Sequence, residues 1–172
     1  CKKSDNISST PDSAGGFDIF ATDQTDDAGK IIVDANNDLK QIRAIYRDNE
    51  GSVKDLEDAM NAQDAAKVKK ITDDLVTQIN KGLALGETAL QKIEDAENLK
   101  INDTYRSYLD LKKTTLREQL DAFEYRRQSA VLLRDVFGGK DKAEIEKAKT
   151  ALQQRENKFK QLMEAARIDS ER

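Results

Sequence analysis

The chain reads as all-α: an elongated up-down-up-down antiparallel four-helix bundle behind a disordered N-terminal tether. Three observations predict this. Apolar residues recur at 3-4 spacing through four long stretches, which places them on one face of a helix. Charged residues make up 36% of the 172-residue chain and apolar ones 37%, with one Pro and no Trp, a balance suited to long helices with solvated outer faces. Cap and break signals divide the stretches, and short connections make neighbouring helices antiparallel.

The first helix is expected over residues 28–60, with Ile32, Ala35, Leu39, Ile42, Tyr46, Asn49, Val53, Leu56 and Met60 on its inner face. Thr25, Asp26 and Asp27 precede it as capping residues whose charges favour a helix N-terminus. Asn49-Glu50-Gly51-Ser52 weakens the helical propensity, but the apolar phase continues across it, so a bend is expected there and not a loop. The second helix is expected over 62–98, capped by Asn61 with Asp64 three residues on, and striped by Val68, Ile71, Leu75, Ile79, Leu83, Leu90 and Ile93. Gly82 and Gly86 lie one turn apart in that stripe; they are either a tolerated soft spot or a notch for a neighbouring helix. The third helix is expected over 103–137, after a cap at Asn102 or Asp103, with Tyr105, Leu109, Leu116, Phe123, Ala130, Leu133 and Phe137 facing inward. Phe123 marks the middle of its stripe and should be well buried. Gly138-Gly139 ends this helix. The fourth helix follows Asp141, with Glu144 completing a capping box, and carries Ile145, Ala148, Leu152, Phe159, Leu162 and Ala166 as far as about residue 168.

Residues 1–26 form the tether and 27–172 the bundle domain. Loop formers dominate the tether's first half: Ser4, Asn6, Ser8, Ser9, Thr10, Pro11, Ser13, Gly15 and Gly16. As a flexible coil about 26 residues average ~25–30 Å, and fully extended at most ~90 Å. Phe17, Ile19 and Phe20 interrupt its polarity. They are either a clip that packs on the bundle or a short peptide recognised by a partner.

The one Cys is residue 1, and no Met precedes it. Cys1-Lys2-Lys3-Ser4-Asp5 and the polar stretch after it resemble the mature start of a bacterial lipoprotein. The resemblance covers only these first residues. It implies that Cys1 is lipid-modified and holds the chain on a membrane through its acyl chains; two or more chains anchor stably, at ~0.8 kcal/mol per buried methylene. It further implies a cell-envelope location. Lys2 resembles the residue that permits sorting to the outer membrane, with the domain facing the periplasm or the cell surface.

Catalytic chemistry is not expected. The chain has no His, which removes the common general base, the usual haem ligand and the Glu-x-x-His pattern of metal-binding bundles. One Cys excludes structural zinc and iron–sulfur sites. No glycine-rich phosphate loop occurs, since 82–86 has neither the Lys nor the strand context. No catalytic residue, metal or cofactor is therefore assigned. The net charge of −4 speaks against general nucleic-acid binding. Residues 1–100 carry 13 basic and 20 acidic groups and residues 101–172 carry 16 and 13, a bias that fits ordinary bundle surface or a docking face for an acidic partner. No stretch approaches the ~18 apolar residues of a membrane span.

One column of the third helix is unusual. Lys112, Gln119 and Arg126 recur every seven residues beside its apolar stripe. Either their stems cover the edge of the core while their heads reach water, or they build a buried polar layer met by Asn49, Gln78 or Arg155. A buried cation would require a paired carboxylate. Arg127 lies at the flank of the stripe as a candidate partner-binding residue. These readings lead to a non-catalytic envelope protein that docks to another envelope protein. The alternative is a bundle that binds or senses a small molecule in its core.

Overall fold

The computed structural model describes residues 23–139 and 141–170. Within them lie four helices and no strand: α1 Thr25–Asn61, α2 Ala65–Glu97, α3 Asp103–Val136 and α4 Lys142–Ser170. At 1.5 Å per residue they are roughly 44–56 Å long. α1 packs on α2, α2 on α3 and α3 on α4, while the backbones of α1 and α4 stay farther apart. Short turns join the helices, so they alternate up and down.

The ends follow from local chemistry. Asn102 Oδ1 accepts from Tyr105 N at 2.9 Å, and Asp141 Oδ1 accepts from Ala143 N at 2.8 Å, which satisfies amides that the first turn leaves free. The start of α2 corrects the expected Asn61 cap. α1 runs through Asn61 and closes with Gln63 at φ 55°. There Gln63 N donates to Met60 O at 3.1 Å and Asp64 N to Ala59 O at 3.0 Å. Asp64 then caps α2, its Oδ1 accepting from Lys67 N at 3.0 Å. Asn61 is still inside α1, so it cannot cap the next helix. α1 takes in Thr25 and Asp26 at its start. Gln24 N donates to Lys100 O at 2.8 Å and Asn102 N to Thr25 Oγ1 at 3.3 Å, so the start of α1 is tied to the α2–α3 turn. The rest of the tether lies outside the described residues. α1 is helical through Asn49–Ser52, as the unbroken apolar phase requires.

The buried seam of α2 is Val68, Thr72, Leu75, Ile79, Gly82, Gly86, Ala89, Ile93 and Ala96. Its strict 4-3 alternation is that of a coiled-coil seam. Ile71, Leu83 and Leu90 flank it, only half-buried. Small residues at the centre of the seam let the neighbours approach. A Cβ on Gly86 would lie 2.1 Å from Leu120 Cδ2 of α3, whereas one on Gly82 would meet Ile45 Cγ2 at an ordinary 3.7 Å. Gly86 is thus a notch that seats Leu120. Thr72 is tolerated in the seam because its hydroxyl donates to Val68 O at 2.9 Å within its own helix.

The core falls into two apolar halves. One gathers Ile32, Ile42, Ile79, Ile93, Leu109, Leu116, Phe123 and Phe159. The other gathers Leu56, Met60, Val68, Leu75, Ala130, Leu133, Phe137, Ala148 and Leu152. Phe123 is completely buried and its ring centroid is 6.1 Å from that of Phe159, as the middle of an antiparallel bundle demands.

α4 is the shortest helix. Arg126 of α3 meets Glu156 of α4, so α4 stops about nine residues, or ~13 Å, short of the level where α3 begins. The pole that carries the N-terminus of α1 and the α2–α3 turn therefore consists of three helices among the described residues.

The two seam glycines should respond differently to alanine. Gly82→Ala should gain up to ~1 kcal/mol from helix propensity, since its Cβ finds ordinary contact. Gly86→Ala should lose stability, by about 1–3 kcal/mol, because Leu120 must leave its seat. Urea denaturation of both variants tests this; equal stabilisation by the two would mean that α2 and α3 do not approach closely at Gly86.

Candidate functional site

Between the two apolar halves lies a polar layer centred on Arg126. The α3 phase that buries Phe123 and Ala130 also turns Arg126 inward, and its side chain is only 2% exposed. A guanidinium removed from water needs a countercharge. Glu156 of α4 supplies it in a two-point pair, with Arg126 Nε to Oε1 at 2.8 Å and Nη2 to Oε2 at 2.7 Å. Glu50 of α1 adds a longer contact from Nη2 at 3.4 Å. Fork-to-fork geometry of this kind is strong and directional.

Aromatic rings wall the layer on the side of the first core half. The Arg126 guanidinium carbon sits 3.6 Å from the centre of the Phe159 ring, and Tyr46 stacks on Phe159 with centroids 5.5 Å apart. A desolvated cation over an aromatic face adds ~2 kcal/mol. Burial pushes the Tyr46 hydroxyl above the ordinary tyrosine range, and the negative charge of Glu50 pushes it the same way. Asn49, also of α1, is 1% exposed. Its Nδ2 and the Nη1 of Arg126 are buried donors with no hydrogen-bond partner among the described residues.

Glu156 also borders a groove between α1 and α4 of about 340 Å³, with Val53, Glu57, Met60, Leu152 and Lys160 among its lining. The groove exists because α1 and α4 stand apart, and it gives the carboxylate a wet side that Arg126 lacks. Such a layer can fix helix register and can offer donors to an acceptor group. Among the described residues no cluster of His, Cys, Asp and Glu is placed to hold a metal ion.

Of the three column residues, the layer takes only Arg126. Lys112 is half-buried, its Nζ 5.5 Å from the centre of the Tyr108 ring, and Gln119 is half-buried at the core edge. Lys112 and Gln119 thus stand at the edge of the core, the first of the two readings of the column, and Arg126 in the buried layer, the second. Asn49 joins the layer, whereas Gln78 is exposed and Arg155 half-buried. Arg127 lies on the flank of α3 and is held by Glu124 through Nε at 2.8 Å and Nη2 at 2.7 Å. Cys1, Phe17, Ile19 and Phe20 lie outside the described residues. Sequence reasoning missed Glu156 and Glu50. The available signal was Glu156 itself, an acidic residue at a seam position of α4 between Leu152 and Phe159.

No known protein family matches the chain, and neither a curated protein nor a solved structure is similar to it.

Removing one member of the pair should cost unequal amounts. Glu156→Ala strands a deeply buried cation and should cost about 3–5 kcal/mol. Arg126→Met keeps the packing and leaves Glu156 beside a wet groove, so it should cost clearly less. Chemical denaturation of the two variants decides, and the opposite order would contradict this placement of the charges.

Tyr46 adds an alkaline signature. Its folded pKa lies above its unfolded value, so its contribution is complete below the ordinary value of 10.0 and is lost as pH rises through the folded value. Wild type should therefore lose more stability between pH ~9 and ~11 than Tyr46→Phe does. Parallel losses would show that the hydroxyl is not desolvated.

Proposed function

We propose that this chain is a non-catalytic, lipid-anchored protein of the cell envelope whose bundle is a rigid module docking to another envelope protein. The observation that supports the non-catalytic part is the pairing of the Arg126 guanidinium with Glu156 and Glu50 inside the bundle. The outer surfaces suit docking, with paired charges such as Arg127–Glu124 beside a shallow groove that includes Val131, Leu132 and Arg155. No helix among the described residues is long and apolar enough to cross a membrane. Attachment is assigned to acyl chains on Cys1 on the strength of the lipoprotein-like Cys1-Lys2-Lys3-Ser4-Asp5 alone, with Lys2 favouring the outer membrane.

A second reading is favoured by one observation. Two unpartnered donors, Asn49 Nδ2 and Arg126 Nη1, sit in the same layer as Glu156, which lines the α1–α4 groove. They would suit a small ligand bearing carbonyl or carboxylate oxygens. A buried donor left unpaired costs ~1–3 kcal/mol, so a ligand that satisfied both would stabilise the fold measurably.

The anchor gives the sharpest test. Intact mass of the protein extracted from native membranes should exceed the unmodified mass by that of the acyl groups. Cys1→Ser should move to the soluble fraction with unchanged helical circular dichroism. A bare Cys1 in membrane-extracted material would remove the lipid from this account. Co-purification of one envelope protein with wild type, reduced by Arg127→Ala at unchanged melting temperature, would locate the docking face.

A further inference from the structure

Tyr108 is 44% exposed, and its column on α3 explains why this is unusual. The same column continues through Thr115, Ala122 and Ser129, all buried. It lies opposite the α2-facing side of α3, which is marked by Leu120 against Gly86 and by the Lys113–Glu97 and Arg117–Glu94 ion pairs. The column is therefore the one that α4 covers, and its small residues let α4 come close. Tyr108 is the next position along it, beyond the end of α4. There the bundle offers an aromatic step: Tyr105 and Tyr108 with ring centroids 5.5 Å apart, and Lys112 over the Tyr108 ring. The Tyr105 hydroxyl reaches across to Gly29 of α1, 3.8 Å from where a Cβ would stand.

The chain that precedes α1 leaves from the same pole. Asp23 Oδ1 accepts from Thr25 N at 2.8 Å, and the Thr25 hydroxyl holds that carboxylate below the usual range. Gln24 bonds Lys100 in both directions, N to O at 2.8 Å and Lys100 N to Oε1 at 3.1 Å. Thr25 Oγ1 accepts from Asn102 Nδ2 at 3.2 Å, and Asn102 is the cap of α3. The departure point is thus fixed beside the first turn of α3. Tyr108 lies about 9 Å along the helix from Asn102, and the six residues before Asp23 can span up to ~20 Å.

We propose that Phe17-Asp18-Ile19-Phe20 folds back onto this step and occupies, at the three-helix pole, the position that α4 leaves uncovered. The segment carries apolar side chains for the two tyrosine rings and a carboxylate for Lys112. It needs no partner, because it is tethered within reach. The consequence is that these residues shield the step in the free protein, and the stretch open to the membrane side shortens to residues 1–16.

Cross-linking in the full chain tests this. In a Cys1→Ser background, Phe20→Cys is combined with Tyr108→Cys, or with Asp95→Cys at an exposed position of α2 near the same pole. A second pair, Phe17→Cys with Lys112→Cys, guards against loss of docking through the Tyr108 substitution. Under mild oxidation at high dilution, the step pairs should close within one chain at least about tenfold faster than the Asp95 control, as docking raises local concentration above that of a free tether. Equal rates at all sites would overturn the proposal, since the segment would then not prefer the step. Cross-links between two chains through Tyr108→Cys alone would also overturn it, by assigning the step to a second copy.

Discussion

A guanidinium withdrawn from water is the constraint on which this bundle turns. Arg126 reaches its countercharge on α4, a longer contact on α1 and an aromatic face on α4 at once. Each of these partners must stand at one height along the rod. Moving α3 against α4 by a turn, ~5.4 Å, would leave a buried charge facing leucine or phenylalanine, at a cost of several kcal/mol. The apolar halves on either side impose one such demand, the Gly86 notch that seats Leu120. Elsewhere their seams of Leu, Ile, Ala and Val could slide past one another and still bury similar area. The pair adds little net stability compared with apolar packing; what it contributes is a single register.

The same constraint explains how α1 and α4 relate. Their backbones stay apart, yet Tyr46 stacks on Phe159 and Glu50 reaches Arg126. Side chains of the polar layer bridge a gap that close packing does not fill. The gap remains as a groove that keeps Glu156 near water, which lowers the cost of its charge. α2 adds Ile79 to one apolar half and Leu75 to the other. It is the backbone-close member of the bundle, through its glycines and alanines and the Lys92–Asp38 and Lys113–Glu97 pairs on its two sides.

Most of the fold was legible in the chain because helix period and caps are local signals. Asn102 and Asp141 announce α3 and α4 within three residues of the amides they cap. The start of α2 was less legible because Asn61 and Asp64 are both good caps, and the choice rests on the turn that Gln63 closes at positive φ. The α2 seam was legible at Val68, Leu75, Ile79, Gly82, Gly86 and Ile93, whereas Ile71, Leu83 and Leu90 flank it and the small Thr72 and Ala89 hold the seam instead. In the candidate site, the heptad column singled out Arg126 but could not separate it from Lys112 and Gln119. That distinction depends on where α4 ends and on Glu156, thirty positions away in the chain, which no local pattern reports.

The role of the Arg126–Glu156 pair, fixing register while contributing little to stability, is decided by the double variant Arg126→Leu/Glu156→Leu, studied by thermal melting and by amide NMR. Its melting point should equal or exceed that of wild type, with more than one set of resonances from helices in alternative registers. A variant with a single set of resonances and wild-type contacts between Phe123 and Phe159 would contradict that role.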